Sequence, residues 1–198
     1  MEHATKKAMA SGVLVLAVIA GWTHGAAAHS FNVGLIVATD APTQAQLREV
    51  RDGFLLAAAE RDGHPDQESD GHLGGLDVYL FVTDLARAAP HGVRELLGRE
   101  QIDILAVLGP DRAVAEIRPL LDGARPVLLG PGRLPSTIPS TFRESFESAF
   151  GYAPGPHAAA GYNAARRIDA AVRPLDGVDD TAALRQSFAA TRDGLSWE

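Results

Sequence analysis

The stretch from Asp66 to Asp77 comes nearest, in residue type and spacing, to a metal-binding loop. Carboxylates stand at its first, third and fifth places (Asp66, Glu68, Asp70), Gly71 at the sixth and Asp77 at the twelfth. A hard cation such as calcium asks for oxygens clustered in this way. The fit is loose. Glu68 is unusual for the third place, Asp77 is shorter than the usual bidentate glutamate, and a strand-like run follows where a helix should. His64 and His72 could lend imidazoles to a transition metal instead. A solvated acidic loop joining a helix to a strand accounts for the same residues, and neither a metal nor another cofactor is expected. No other spacing carries chemistry. There is no Gly-x-Ser-x-Gly elbow, no His-Glu-x-x-His and no Gly-x-x-x-x-Gly-Lys phosphate loop. Cysteine is absent, which excludes disulfides, thiolate metal sites and cysteine nucleophiles. His91 and His157 stand at helix starts and are expected to face solvent. Phe142, Phe146 and Phe150 recur at helical spacing, which makes them core rather than a ligand platform. The chain is therefore not expected to be an enzyme.

The elements that hold these residues follow from hydrophobic periodicity. Phe31 to Thr39 is mostly apolar and rich in β-branched residues, the pattern of a strand buried on both faces. Asp40, Pro42 and Thr43 break it, and Asp40 and Thr43 offer caps for a helix to Arg61, whose inward face carries Leu47, Val50, Phe54, Ala57 and Ala58. A polar loop from Asp62 to Gly75 leads to a second strand, Leu76 to Thr83. A helix around Val93, Leu96 and Leu97 precedes a third strand, Ile102 to Leu108. Asp111 is placed to cap a further helix with Val114, Ile117, Leu120 and Leu121 inward, before a short fourth strand, Val127 to Leu129. Strands alternating with helices imply a parallel sheet covered on both faces, with any ligand beyond the carboxyl ends of the strands. After Leu129 a Pro/Gly/Ser-rich stretch runs to Ser140, followed by three helical segments, Thr141–Phe150, His157–Val172 and Thr181–Thr191.

Residues 1–28 have the pattern of a signal peptide. Lys6 and Lys7 precede an apolar stretch, Met9 to Ala20, and Ala26 to Ala28 suit cleavage before His29. The apolar stretch is shorter than the roughly 20 residues that a membrane-spanning helix needs. The expectation is a periplasmic protein, with no membrane insertion after cleavage. The net charge of −7 gives no general attraction to nucleic acid or anionic lipid, and no nucleic-acid partner is expected.

Several segments resemble the leucine/isoleucine/valine-binding family of type I periplasmic solute-binding proteins, the substrate-binding subunits of ABC transporters. The first strand and the helix ending in Ala57 to Gly63 are similar to that family's first βα unit. Gly74 to Asp84 is similar to its glycine turn, second strand and closing aspartate. Leu108-Gly109-Pro110, and Arg125 to Gly132, resemble its third and fourth strands with their loops. Phe142 to Pro154, and Ala160 to Ala164, resemble the helices that close the fold, and Gly194 to Glu198 the start of the final hinge segment. The resemblance implies one α/β lobe over 29–198: a βα core at 29–130, a linker at 131–140 replacing the second lobe, and C-terminal helices at 141–198.

The resemblance places a ligand in the loops after the third and fourth strands. The hydroxyl residue expected after the third is absent, and Gly109, Pro110, Asp111 and Arg112 stand there. Gly130, Gly132 and Arg133 form the fourth-strand loop, and Thr39 and Asp40 end the first strand at the same rim. Arg112 and Arg133 could pair an anionic ligand through bidentate guanidinium contacts, or stand as solvated loop arginines. The implied function is solute binding, for a small polar or anionic solute and with an ABC permease as partner. The alternative is a periplasmic accessory protein that keeps the fold without a small ligand. A lobe without its second half exposes the loops of the cleft, so a homodimer or a periplasmic protein partner is expected.

Overall fold

A mostly apolar run, interrupted only by Asn32 after its first residues, forms β1 (Ser30–Val37), and its position explains its composition. It pairs in parallel with β3 (Leu76–Asp84) on one side and β4 (Ile104–Leu108) on the other, so both of its faces and both of its edges are covered. The structure is a computed structural model and describes residues 30–39, 42–63, 68–84, 90–123, 125–175 and 177–197. The expected signal peptide, 1–28, lies outside these residues, as do Asp40, His64 and Asp66. The sheet has five strands in the order β2-β3-β1-β4-β5, with β5 (Val127–Leu129) parallel to β4. The four expected strands are all present.

The fifth strand, β2 (His72–Leu73), lies in the segment expected to be loop. It runs antiparallel to β3, with Leu73 opposite Leu76, across Gly74-Gly75. Both glycines have positive φ, +67° and +88°, as a two-residue hairpin turn of this hand demands. The Gly-Gly pair between two leucines was the signal for this hairpin. The pairing splits the acidic loop and puts two of its carboxylates, Asp70 and Asp77, to internal use. Asp70 Oδ2 accepts from the Leu80 N–H at 2.8 Å. Asp77 Oδ1 accepts from the Ser69 hydroxyl at 3.0 Å and lies 3.1 Å from His72 Nε2. Among the described residues, no group of three or more His, Asp or Glu side chains is placed to hold a metal ion.

The crossovers account for the two layers of helix. From β1 the chain steps to one side to reach β3, then back past β1 to reach β4. Right-handed connections running in opposite directions place their helices on opposite faces. One face carries α1 (Gln44–Ala59), and the other carries α2 (Pro90–Arg99) and α3 (Asp111–Ile117). Alternate residues along β1 and its exit accordingly enter different cores: Val33, Leu35 and Val37 face α1, while Ile36 and, just past the strand, Ala38 face α2 and α3. Thr43 caps α1 in a reciprocal pair with Gln46, so the cap does not come from Asp40. Asp111 does not cap α3 either. Pro110 holds that position and Asp111 is the first helical residue.

Residues 130–139 form no regular element, and the chain then returns to the α1 face as α4 (Ser140–Phe150), α5 (Pro156–Val172) and α6 (Thr181–Ala190). Phe142 and Phe146 are buried as expected, and Trp197 packs against Phe142 and Tyr162 with ring centroids 5.1 and 4.7 Å away. Its indole N–H donates to Asn163 Oδ1 at 3.2 Å, which docks the end of the chain on α5. His91 is exposed as expected, but His157 is not simply solvated. Its Nε2 is buried with no hydrogen-bond partner among the described residues. No helix of the described residues is long and apolar enough to cross a membrane.

Two tyrosines tie these later helices to α1. Tyr162 donates to Glu60 at 2.7 Å and Tyr152 to Asp52 at 2.8 Å. Burial, then the hydrogen-bonded carboxylate, raises the pKa of each above its ordinary 10.0. A group whose folded pKa is raised stabilises the fold below its unfolded pKa, and that contribution is lost as pH rises above it. In an alkaline titration, Tyr152 and Tyr162 are therefore expected to ionise above pH 10, with stability falling over the same interval. Tyrosinate absorbance of the wild type against Tyr152→Phe and Tyr162→Phe reads this directly. Ionisation of both at or below the free value would contradict it.

Candidate functional site

The carboxyl ends of β1, β3 and β4 lie level with one another, since Val37 is in register with both Asp84 and Leu108. The strand order reverses between β1 and β4, which is where a sheet of this kind opens a crevice. Here the crevice is closed at its base. Ala38 N–H donates to the Leu108 carbonyl at 2.7 Å, and Gly109 lies so close to the Ala38 backbone that a Cβ would run into its carbonyl. The open space lies to either side.

On the β3 side, a cavity of about 320 Å³ lies between Val82, Thr83 and Asp84 at the strand end and Gln44, Arg48 and Arg51 of α1. On the other side, a pocket of about 130 Å³ lies beyond β4 and β5, lined by Leu108, Gly109, Gly130, Pro131, Gly132 and residues of α5. Three of the expected site residues, Gly109, Gly130 and Gly132, meet there. Further round the same rim, Asp111 and Gly130 line a cleft of about 480 Å³ between α3 and α6. Thr39, Pro110, Arg112 and Arg133 are exposed and line none of these three cavities, and Asp40 lies outside the described residues. The two arginines singled out in the sequence therefore do not converge on a common pocket. Arg133 uses its backbone N–H to bind the Arg192 carbonyl at 2.9 Å.

The guanidinium at the rim comes instead from Arg167, on α5, whose residue is only 3% exposed. It donates from Nη1 to the Gly130 carbonyl at 2.7 Å, from Nη2 to the Phe188 carbonyl at 3.1 Å and from Nε to the Thr191 hydroxyl at 3.2 Å. One side chain thus ties the β5 loop to the end of α6. Gly132 has no Cβ because that space is taken by Arg167, whose Nη1 would lie 2.6 Å from it. All three acceptors are neutral. Burial lowers the pKa of Arg167 from 12.5 to about 10, and the positive charge of Arg192 acts in the same direction. It remains a cation at neutral pH. Asn163, one helical turn earlier, lines the same pocket.

Arg167 and Asn163 were legible in the sequence, although not singled out. They share the inward face of α5 with Ala160, Ala164 and Ala171, at spacings of three and four. A polar residue on a face otherwise made of alanine must find partners inside the protein.

No protein-family model matches the chain, and no curated protein matches it in sequence. Among solved structures it is similar to an ABC transporter substrate-binding protein from Sphaerobacter thermophilus. The TM-score is 0.53 at 13% identity, over 81% of this chain and 86% of that one. At that identity the likeness establishes the fold and not a subfamily. The chain has the α/β architecture of a single periplasmic-binding-protein-like lobe.

Proposed function

We propose that the protein is an extracytoplasmic solute-binding lobe that holds a small polar or anionic solute at the carboxyl rim of its sheet. The observation that carries this is the rim pocket, where Gly109, Gly130 and Gly132 bring bare backbone next to Asn163 and Arg167. A site of this kind holds a ligand by main-chain groups and a few convergent polar side chains. The fold shared with a substrate-binding protein supports the same conclusion, with an ABC permease as the partner of transport. In this reading residues 131–140 stand where the second lobe would be inserted. One lobe leaves the rim open, and a second copy of the chain or a periplasmic protein is the partner that would cover it.

Leucine, isoleucine and valine are expected to bind weakly or not at all, because the loop after β4 offers Asp111 and Arg112 in place of a small hydroxyl residue. The test is calorimetry of the purified protein against amino acids, small carboxylates and sugars, repeated with Ala160→Leu. Ala160 lines the rim pocket, and leucine there fills space without disfavouring the helix. A solute bound by the wild type and lost in Ala160→Leu is the expected result. If no solute of the three classes loses its binding in Ala160→Leu, the rim pocket is removed from consideration.

A further inference from the structure

The cleft between α3 and α6 is rich in arginine. On the α3 side, Asp111, Val114, Ala115 and Arg118 follow one another at helical spacing along a single face. On the α6 side, Arg185, Phe188, Ala189 and Arg192 do the same. Arg167 closes the inner end. Four of the twelve lining residues are arginines and one, Asp111, is a carboxylate, in a chain whose net charge is −7. Asp111 is already engaged, with Arg192 Nη2 3.4 Å from its Oδ2. Like charges gathered on two facing helices repel, and burying one of them adds a desolvation cost. An anion in the cleft offsets both.

The geometry points to an oxyanion site in this cleft, for a carboxylate or phosphate group, with Arg118, Arg185 and Arg192 as its arms and Arg167 as its base. Guanidinium groups suit either oxyanion, because their fixed fork of donors matches the paired oxygens. Leu128, Val114 and Phe188 leave apolar surface between the arginines, so a ligand with a short carbon body attached to its charged end fits better than a bare ion. The cleft shares Gly130, Pro131 and Arg167 with the rim pocket, but its arms lie outside that pocket, and it stands whether or not the rim pocket binds a solute.

The experiment is titration calorimetry of the full chain with succinate and with inorganic phosphate, at constant ionic strength set by chloride. Three proteins are compared: wild type, Arg185→Gln/Arg192→Gln, and Arg112→Gln/Arg133→Gln. All four substituted arginines are exposed, so each variant is expected to fold, and a melting curve checks it. Saturable binding of one or both anions is expected, weakened at least tenfold in Arg185→Gln/Arg192→Gln and changed less than twofold in Arg112→Gln/Arg133→Gln. Succinate alone identifies a carboxylate ligand, and phosphate alone a phosphate or phosphate ester. Absence of saturable binding by either anion at millimolar concentration overturns the proposal, as does binding that survives the loss of Arg185 and Arg192. Ala160→Leu separates the two sites, since it is expected to leave anion binding in the cleft intact while blocking the rim pocket.

Discussion

Gly53→Ala and Gly161→Ala are each expected to destabilise the protein by ~2 kcal/mol or more, against the helix propensity of the new residue. Alanine in a helix interior is favoured over glycine by ~1 kcal/mol, so substitution at an uncrowded site would stabilise. These sites are not uncrowded. A methyl group on Gly53 of α1 would run into the carbonyl oxygen of Ala158 on α5. A methyl group on Gly161 would run into the carbonyl of Val50 on α1. Each glycine thus receives the backbone of the opposite helix, and the two helices touch main chain to main chain. A flexible side chain can swing aside, but a helix backbone cannot, so the whole α1–α5 contact must open. For a domain of this size, 2 kcal/mol corresponds to a fall of roughly 4–8 °C in Tm. The double variant should lose less than the two single losses added together, because one separation of the helices relieves both clashes. Urea unfolding decides it. A Gly53→Ala protein as stable as the wild type would show that the two helices are not packed at this distance.

Arg167→Leu is the second substitution with a large expected effect. Leucine keeps the apolar stem and removes three donors at once, from the Gly130 carbonyl, the Phe188 carbonyl and the Thr191 hydroxyl. A buried acceptor left without its donor costs about 1–3 kcal/mol, and removing a buried charge returns part of that. The balance is a loss of about 3 kcal/mol, expected to appear as a lower urea midpoint. Arg167→Lys should recover part of it, since one ammonium cannot reach three acceptors spread around a planar fork. The pH dependence has a definite sign. The folded pKa of Arg167 is lowered to about 10, below its unfolded value, so its charge opposes folding at neutral pH. That opposition fades only as pH rises through 10. Full stability in Arg167→Leu would mean that the desolvation of the guanidinium outweighs all three hydrogen bonds.

The type and order of the elements could be read from the residues alone, because each is set by local periodicity. Continuous apolar runs marked the strands, and faces such as Leu47, Val50, Phe54, Ala57 and Ala58 marked the helices. The alternation implied a parallel sheet with both faces covered, and the carboxyl rim followed from it. Of the glycines at that rim, Gly109 was identifiable because a tight strand exit leaves no room for a side chain there, whereas the space at Gly132 is taken by the distant Arg167. The capping of α1 by Thr43 was within reach too, since its partner Gln46 is three residues away.

What the residues alone did not determine is everything that depends on separation along the chain. Arg112 and Arg133 are exposed and line none of the three cavities, whereas Arg167, Arg185 and Arg192, dozens of residues later, line the spaces beside the loops after β4 and β5. The acidic loop satisfied a metal template as a string of letters, yet pairing of β2 with β3 set His72 opposite Asp77 and turned Asp70 to the Leu80 amide. The approach of α1 to α5 depends on two glycines more than a hundred residues apart, neither of which has a local reason to be glycine. Local patterns record what each residue does with its neighbours in sequence. The convergence of charge at the rim, and the closeness of two helices, are decided by which distant side chains the packed sheet and its helices bring to one place.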